Sequence, residues 1–287
     1  MNNLSNFPPV YYVNLDFRDD RKKSIEKSFH DYKILNYTRI SASNFLGSEH
    51  EKWEHLVLDI DNINKIIIDF SSIGNTLSHL EAIETWLNTS NTETAIIMED
   101  DCDITISDYW KFDWNTLMNN LPFNWDCVQL CMDHHSIIPF FIHPQLKDTG
   151  SASCYLINRP YAEKVLRLHK CSQGYYLHNR NGDYSYRNHY SLIDYLITRT
   201  GKTYSFPIFT ININFSSDHE YDDNLHPRHI PCRNAVVDFW KNKSHDFDIN
   251  DFFFYNKPND KDLLYKIYVN NKNNLKTLNY EKNFSYS

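Results

Sequence analysis

Ala95-Ile96-Ile97-Met98, followed at once by Glu99-Asp100-Asp101-Cys102-Asp103, constrains this chain more than any other stretch. Four consecutive apolar residues read as a buried strand, and four carboxylates arrive in the next five positions. Burying a carboxylate is costly unless a cation or a strong donor meets it. In an extended segment side chains alternate, so Glu99, Asp101 and Asp103 share one side while Asp100 points away. Hard oxygen ligands at the carboxyl end of a buried strand suit Mg²⁺ or Mn²⁺, with open positions left for a substrate diphosphate. The spacing fits equally a run of solvated loop acids, or charges at a helix N-terminus.

The rest of the chain supplies the fold around that run. Val10–Leu15 reads as a first buried strand and Asp20–Asp31 as a polar helix. Lys33–Ile40 and Lys65–Phe70 are further strand candidates, with 43–62 irregular or partly helical. Leu77, Leu80, Ile83 and Leu87 recur at three- and four-residue steps, which predicts an amphipathic helix. Strands are expected at 95–98, 126–132 and 153–158, and Pro160 sits where a helix begins. Another helix is expected over 190–199 and an extended segment over 204–214. Alternating strands and helices predict an α/β domain, a mainly parallel sheet with helices on both faces. Ligands of such sheets gather at the carboxyl ends of the strands, where the acidic run lies. Residues 1–245 form this domain, and 246–287 read as a C-terminal appendage ending in an Asn- and Lys-rich tail.

Composition removes several function classes. At 287 residues the chain can bury a full core, and its 29 basic against 37 acidic residues leave a net charge of −8. That balance argues against nucleic acid or an anionic membrane as the main partner. No apolar stretch reaches the roughly 20 residues of a membrane span. Residues 1–9 carry no apolar leader core, so no signal peptide and a cytoplasmic location are expected. The six cysteines form no CxxC pair and no zinc spacing, which favours a reducing compartment. The six glycines form neither GxGxxG nor GxxxxGK, so dinucleotide and P-loop phosphate cradles are excluded. The 20 Tyr, 18 Phe and 6 Trp suit sugar stacking and core packing alike.

Two further segments carry chemistry. Asn14 ends the first strand, where its amide can meet a base or ribose edge. Arg18 and Arg21, three apart, can present guanidinium forks to phosphate or simply face water. In Ile73-Gly74-Asn75-Thr76-Leu77-Ser78-His79, Ser78 and Glu81 have capping-box spacing, and His79 can serve an anion or a neighbouring carbonyl.

Together these pieces resemble glycosyltransferase family 25. Asn14-Leu15-x-x-Arg18-x-x-Arg21 is similar to that family's opening motif, Gly74-x-x-Leu77-Ser78-His79 to its Gly-x-x-Leu-Ser-His, and Glu99-Asp100-Asp101 to its Glu-Asp-Asp. Trp125-Asp126-x-Val128-x-Leu130, Tyr155-Leu156-Ile157, Ile193-Asp194 and Ser217-Asp218 follow in the family's order, over roughly residues 10–220. Asn158 departs from the pattern, and Cys102-Asp103 opens a second DxD frame. The Asn-rich composition is also similar to that of giant-virus proteins, among which collagen-modifying members of the family occur.

The resemblance implies a single GT-A type, Rossmann-like domain, a UDP-glucose or UDP-galactose donor and Mn²⁺ (or Mg²⁺). The implied acceptor is a glycan, as in lipooligosaccharide, or collagen-type hydroxylysine or galactosyl-hydroxylysine. The nucleotide-side set is then Asn14, Arg18, Arg21, Gly74, Ser78, His79 and Asp100. Asp101 is the expected metal ligand with Glu99 or Asp103 second, and Asp218 or His219 closes the shell. Asp194 is the expected general base, with Asp133 competing. Two other classes fit the same acids: a metal-dependent nucleotidyltransferase or phosphohydrolase, and a non-catalytic carbohydrate-binding protein on the same fold.

Overall fold

In the computed structural model of this chain, residues 2–45, 47–58, 70–132, 138–145, 151–177, 193–215, 218 and 225–253 are described. The strand expected at Lys65–Phe70 lies outside these residues apart from Phe70, which opens a helix. Asp133 and His219 also lie outside them.

The alternating apolar segments become one mixed sheet between two helical layers. Its strands are β1 (Val10–Asn14), β2 (Tyr37–Ser41), β3 (Thr94–Glu99), β4 (Cys102–Asp103), β5 (Cys127–Cys131), β6 (His143–Pro144), β7 (Cys154–Asn158) and β10 (Thr203–Ile211). A separate small hairpin joins β8 (Lys170–Cys171) to β9 (Gly174–Tyr175). The sheet order is β2-β1-β3-β7-β5-β10-β4, with β6 on β10. β2, β1, β3, β5 and β10 run one way, while β7, β4 and β6 run against them. The α/β class with a mainly parallel, helix-flanked sheet is therefore what the chain adopts.

Strand alternation divides the core. Val10, Tyr12, Ile96, Met98, Val128, Leu130 and Leu156 face one layer. Helix α1 (Asp19–Asp31) covers it with Ile25 and Phe29. Also on that face are α3 (Trp114–Asn119) and the segment after α6 (Leu225–Asp238). Tyr11, Val13, Ile97, Tyr155 and Ile157 face the other layer, covered by α2 (Phe70–Thr89), α4 (Arg159–His169) and α5 (Ile193–Arg199). In α2, Leu77, Leu80 and Ile83 are fully buried, as their spacing predicts. Asn158 caps α4 by accepting the Tyr161 N–H, with Pro160 in the first turn. The segment from residue 246 joins the main core at its start. Phe252 and Phe253, in and just after α7 (Ile249–Phe252), pack on Phe112.

Ser78 does not cap a helix. α2 begins at Phe70, two turns earlier, so the Ser78-x-x-Glu81 spacing falls in the helix interior. There Ser78 Oγ donates to Gly74 O (2.6 Å) and accepts the Ser43 N–H (2.8 Å), pinning residues 42–45 to the helix. Gly74 allows this close approach, because a Cβ there would stand 2.4 Å from Ser43 O.

Candidate functional site

The chain leaves β1 through α1 to reach β2 and returns through α2 to β3, and both strands are parallel neighbours of β1. The crevice outside the carboxyl ends of β1 and β3 is thus a topological switch point, the ordinary ligand position of an open α/β sheet. Asn14 ends β1 there and Glu99 ends β3.

The acidic run does not stay extended. β3 stops at Glu99, Asp100-Asp101 form a turn, and β4 resumes at Cys102. The alternation expected of Glu99, Asp101 and Asp103 is broken by that turn, and the carboxylates go separate ways. Asp103 accepts the N–H (2.9 Å) and hydroxyl (2.6 Å) of Thr105, anchoring the short helical turn that follows. Asp100, expected to point away, is the most enclosed of the four. It accepts from Asn14 Nδ2 at 2.7 Å and Arg21 at 2.9 Å. Burial pushes its carboxyl above the usual range, against the pull of Arg21 and Asn14.

Arg21 also reaches Asp101 (3.3 Å) and Asp218 (3.5 Å), with its guanidinium 5.8 Å from the Phe215 ring centre. Burial works to lower its pKa, but Asp101, Asp100 and Asp218 outweigh that and hold it above the usual value. Arg18 meets Asp218 (2.5 Å) and Asp20 (3.0 Å), and holds the Asp20 carboxyl down at about 2. Four carboxylates therefore surround two buried guanidiniums, a formal excess of two negative charges. The sequence reading turned Arg18 and Arg21 toward phosphate; here carboxylates engage both.

Asn14 is likewise spent inside the protein. Its Nδ2 also donates to Arg18 O (3.1 Å), and its Oδ1 accepts from Arg39 Nε (2.7 Å). Arg39, which sequence reading missed, further ties Asp16 at 2.6 Å, and Ser41 Oγ donates to the same oxygen at 2.8 Å. These donors, Arg39 first, keep the Asp16 carboxyl below its usual range.

Glu99 turns to the other wall. Its Oε1 accepts from Asn75 Nδ2 at 2.9 Å and lies 3.5 Å from His79 Nε2. Asn75 and His79 are four apart on α2, so they share a face. Sequence reading passed over Asn75, although its spacing from His79 was a usable signal. Gly74 and Ser78, expected on the nucleotide side, instead hold the segment 42–45. Asp194 stands in the first turn of α5, a favourable place for an acid at a helix start.

These donors suit a hard divalent ion in kind, since they are carboxylate oxygens with surplus negative charge. They are not a ready-made cage: among the described residues no three His, Cys, Asp or Glu are arranged around a common ion position. Asp101 and Asp218 are the residues that would hold such an ion once turned from the arginines, whereas Asp100 is fixed by Asn14 and Arg21.

No family model and no curated protein matches this chain. Among solved structures it is similar to the crystal structure of A197 from STIV, at 10% identity and a TM-score of 0.40. The match covers 71% of this chain and 84% of that one. A likeness of that size decides nothing about activity.

Proposed function

We propose that this protein is a GT-A type glycosyltransferase that moves a hexose from a UDP-sugar to a hydroxyl acceptor with the help of Mn²⁺ or Mg²⁺. One observation carries the reading: two arginines and a surplus of carboxylates meet at the carboxyl ends of β1 and β3, at the switch point. The resemblance to glycosyltransferase family 25 supports it through the same residues.

Asp101 and Asp218 would hold the divalent cation, which would compensate the charge that grows on the departing diphosphate. The chain's own residues do the rest. Asp101 and Asp218 present oxygens to the cation side. Arg18 and Arg21, beside these acids, are the planar donors that would meet phosphate oxygens. Asn14 and Arg39 keep the β1 corner rigid. Asp194, at the start of α5, is the proposed base that takes the acceptor proton as its oxygen attacks the anomeric carbon and the bond to phosphate breaks.

The direct test is UDP release from UDP-glucose and UDP-galactose with Mn²⁺. Acceptors to supply are hydroxylysine or galactosyl-hydroxylysine collagen peptides and bacterial glycan cores. Asp101→Ala should abolish turnover and leave the fold intact, and Asp194→Asn should lower the turnover number. Release of inorganic phosphate or pyrophosphate in place of UDP would assign the site to the hydrolase or nucleotidyltransferase class instead.

A further inference from the structure

We propose that Glu99 is the carboxylate that recognises a sugar hydroxyl, and that Asn75 and His79 are the residues that position it. This rests on the transferase reading above and assigns Glu99 a role different from that of its acidic neighbours.

The geometry separates Glu99 from them. The Asp100-Asp101 turn sends those two carboxylates to the arginines of the α1 side, while Glu99 goes to α2. Its backbone is fixed, because its N–H donates to Ser153 O at 2.9 Å across the β3–β7 edge. Asn75 Nδ2 donates to Oε1, and His79 Nε2 stands 3.5 Å from the same oxygen.

Behind them the support is rigid. The His79 ring is fully buried and stacks on Tyr155 at 5.7 Å, with Nδ1 3.2 Å from the Tyr155 hydroxyl. With Nδ1 paired to the Tyr155 hydroxyl, the ring is oriented so that Nε2 faces Glu99. Burial pushes the Tyr155 hydroxyl well above its usual pKa, so it stays protonated beside His79 Nδ1.

The carboxylate so held keeps about a quarter of its side chain exposed (26%), against 7% for Asp100. A fixed, partly open carboxylate beside the diphosphate position is the group that sugar hydroxyls bind well, because hydrogen bonds to an ionised acceptor are the strong ones. The hydroxyl belongs either to the donor hexose or to a sugar acceptor.

The test compares the dissociation constants of UDP and of UDP-glucose and UDP-galactose, with Mn²⁺ and without acceptor, in the parent chain, Glu99→Gln, Asn75→Ala and His79→Ala. Glu99→Gln should bind UDP like the parent and lose about 10- to 100-fold against UDP-hexose, the scale of one charge-assisted hydrogen bond. If the hydroxyl is the acceptor's, both affinities stay and the transfer rate falls by that factor. Asn75→Ala and His79→Ala should shift the UDP-hexose to UDP ratio, or the rate, in the same direction and by less. A purely structural role would lower their melting temperatures and leave that ratio and the transfer rate per folded enzyme at parental values. Equal loss of UDP and UDP-hexose binding in Glu99→Gln, or parental behaviour throughout, overturns the proposal. A parent chain that binds neither ligand overturns the transferase reading, and the hydroxyl role with it.

Discussion

The two walls of the crevice solve the same problem by different means. On the α1 side the carboxylates meet guanidiniums: Asp100, Asp101 and Asp218 share Arg21, and Asp218 and the exposed Asp20 share Arg18. On the α2 side Glu99 is met by Asn75 and His79, and Glu81 by the Ser43 hydroxyl at 3.2 Å. The first wall depends on charge balance and fails when one partner is removed. The second depends on close backbone packing that brings amide, hydroxyl and imidazole groups within reach, and fails when the packing is disturbed.

The largest expected effect is on the charged wall. Arg21→Ala leaves Asp100 buried without its guanidinium, and breaking a buried pair costs about 3–5 kcal/mol. Urea unfolding of parent and variant should show it. Lys52→Ala is the control, because Lys52 and its partner Glu49 are 65% and 44% exposed. An exposed pair contributes about 0–1 kcal/mol. Equal losses in the two variants would erase the distinction between the walls.

Next in size is the packing of α2 on residues 42–45. Gly74→Ala places a Cβ 2.4 Å from Ser43 O and 3.1 Å from Phe45 Cδ2, so backbone must move. Overpacking of this kind costs about 1–3 kcal/mol. Ser78→Ala removes the acceptor of the buried Ser43 N–H and should cost about 1 kcal/mol, near the low end for an orphaned donor. Thermal melts of both variants, which leave the arginines untouched, separate packing from charge.

The contrast also marks where sequence stopped being informative. The layers were legible because apolar spacing reports burial directly: the 95–98 run is β3, and Leu77, Leu80 and Ile83 are the inner face of α2. Asn14, Arg18, Arg21, Asp100 and Asp101, singled out by residue type, are brought together by the fold. Their partners were not, because contact between positions 14 and 100 exists only once β1 and β3 lie side by side. Period-two reasoning failed at Asp100-Asp101, where two acids turn the chain instead of continuing the strand. Ser78 misled for a related reason: its spacing to Glu81 fits a capping box, but both residues lie inside the helix, where Ser78 serves the close contact at Gly74. Arg39 had no local signal, lying on an edge strand with an otherwise ordinary pattern.

The smallest expected effect compares two acids one turn apart on α2. Burial raises the Glu81 carboxyl and the Glu84 charge adds to this, while Ser43 first and then Lys170 pull the other way without outweighing them. Burial also works to raise Glu84, but Tyr175 and Lys170 outweigh it and hold that carboxyl below its usual range. Linkage then gives opposite signs. The Glu81 contribution is complete below the unfolded pKa of about 4.3 and is lost as pH rises through the higher folded value. The Glu84 contribution is present above about 4.3 and is lost as pH falls through the lower folded value. Relative to the parent, Glu81→Gln should therefore gain stability from acid to neutral pH, and Glu84→Gln should lose it over the same range. Paired urea titrations between pH 3 and pH 7, on the order of the window around that glutamate pKa, read both slopes. If the Glu81 slope came out negative like that of Glu84, a cationic partner would govern this part of α2 as well, and the division into a charged and a neutral wall would not hold.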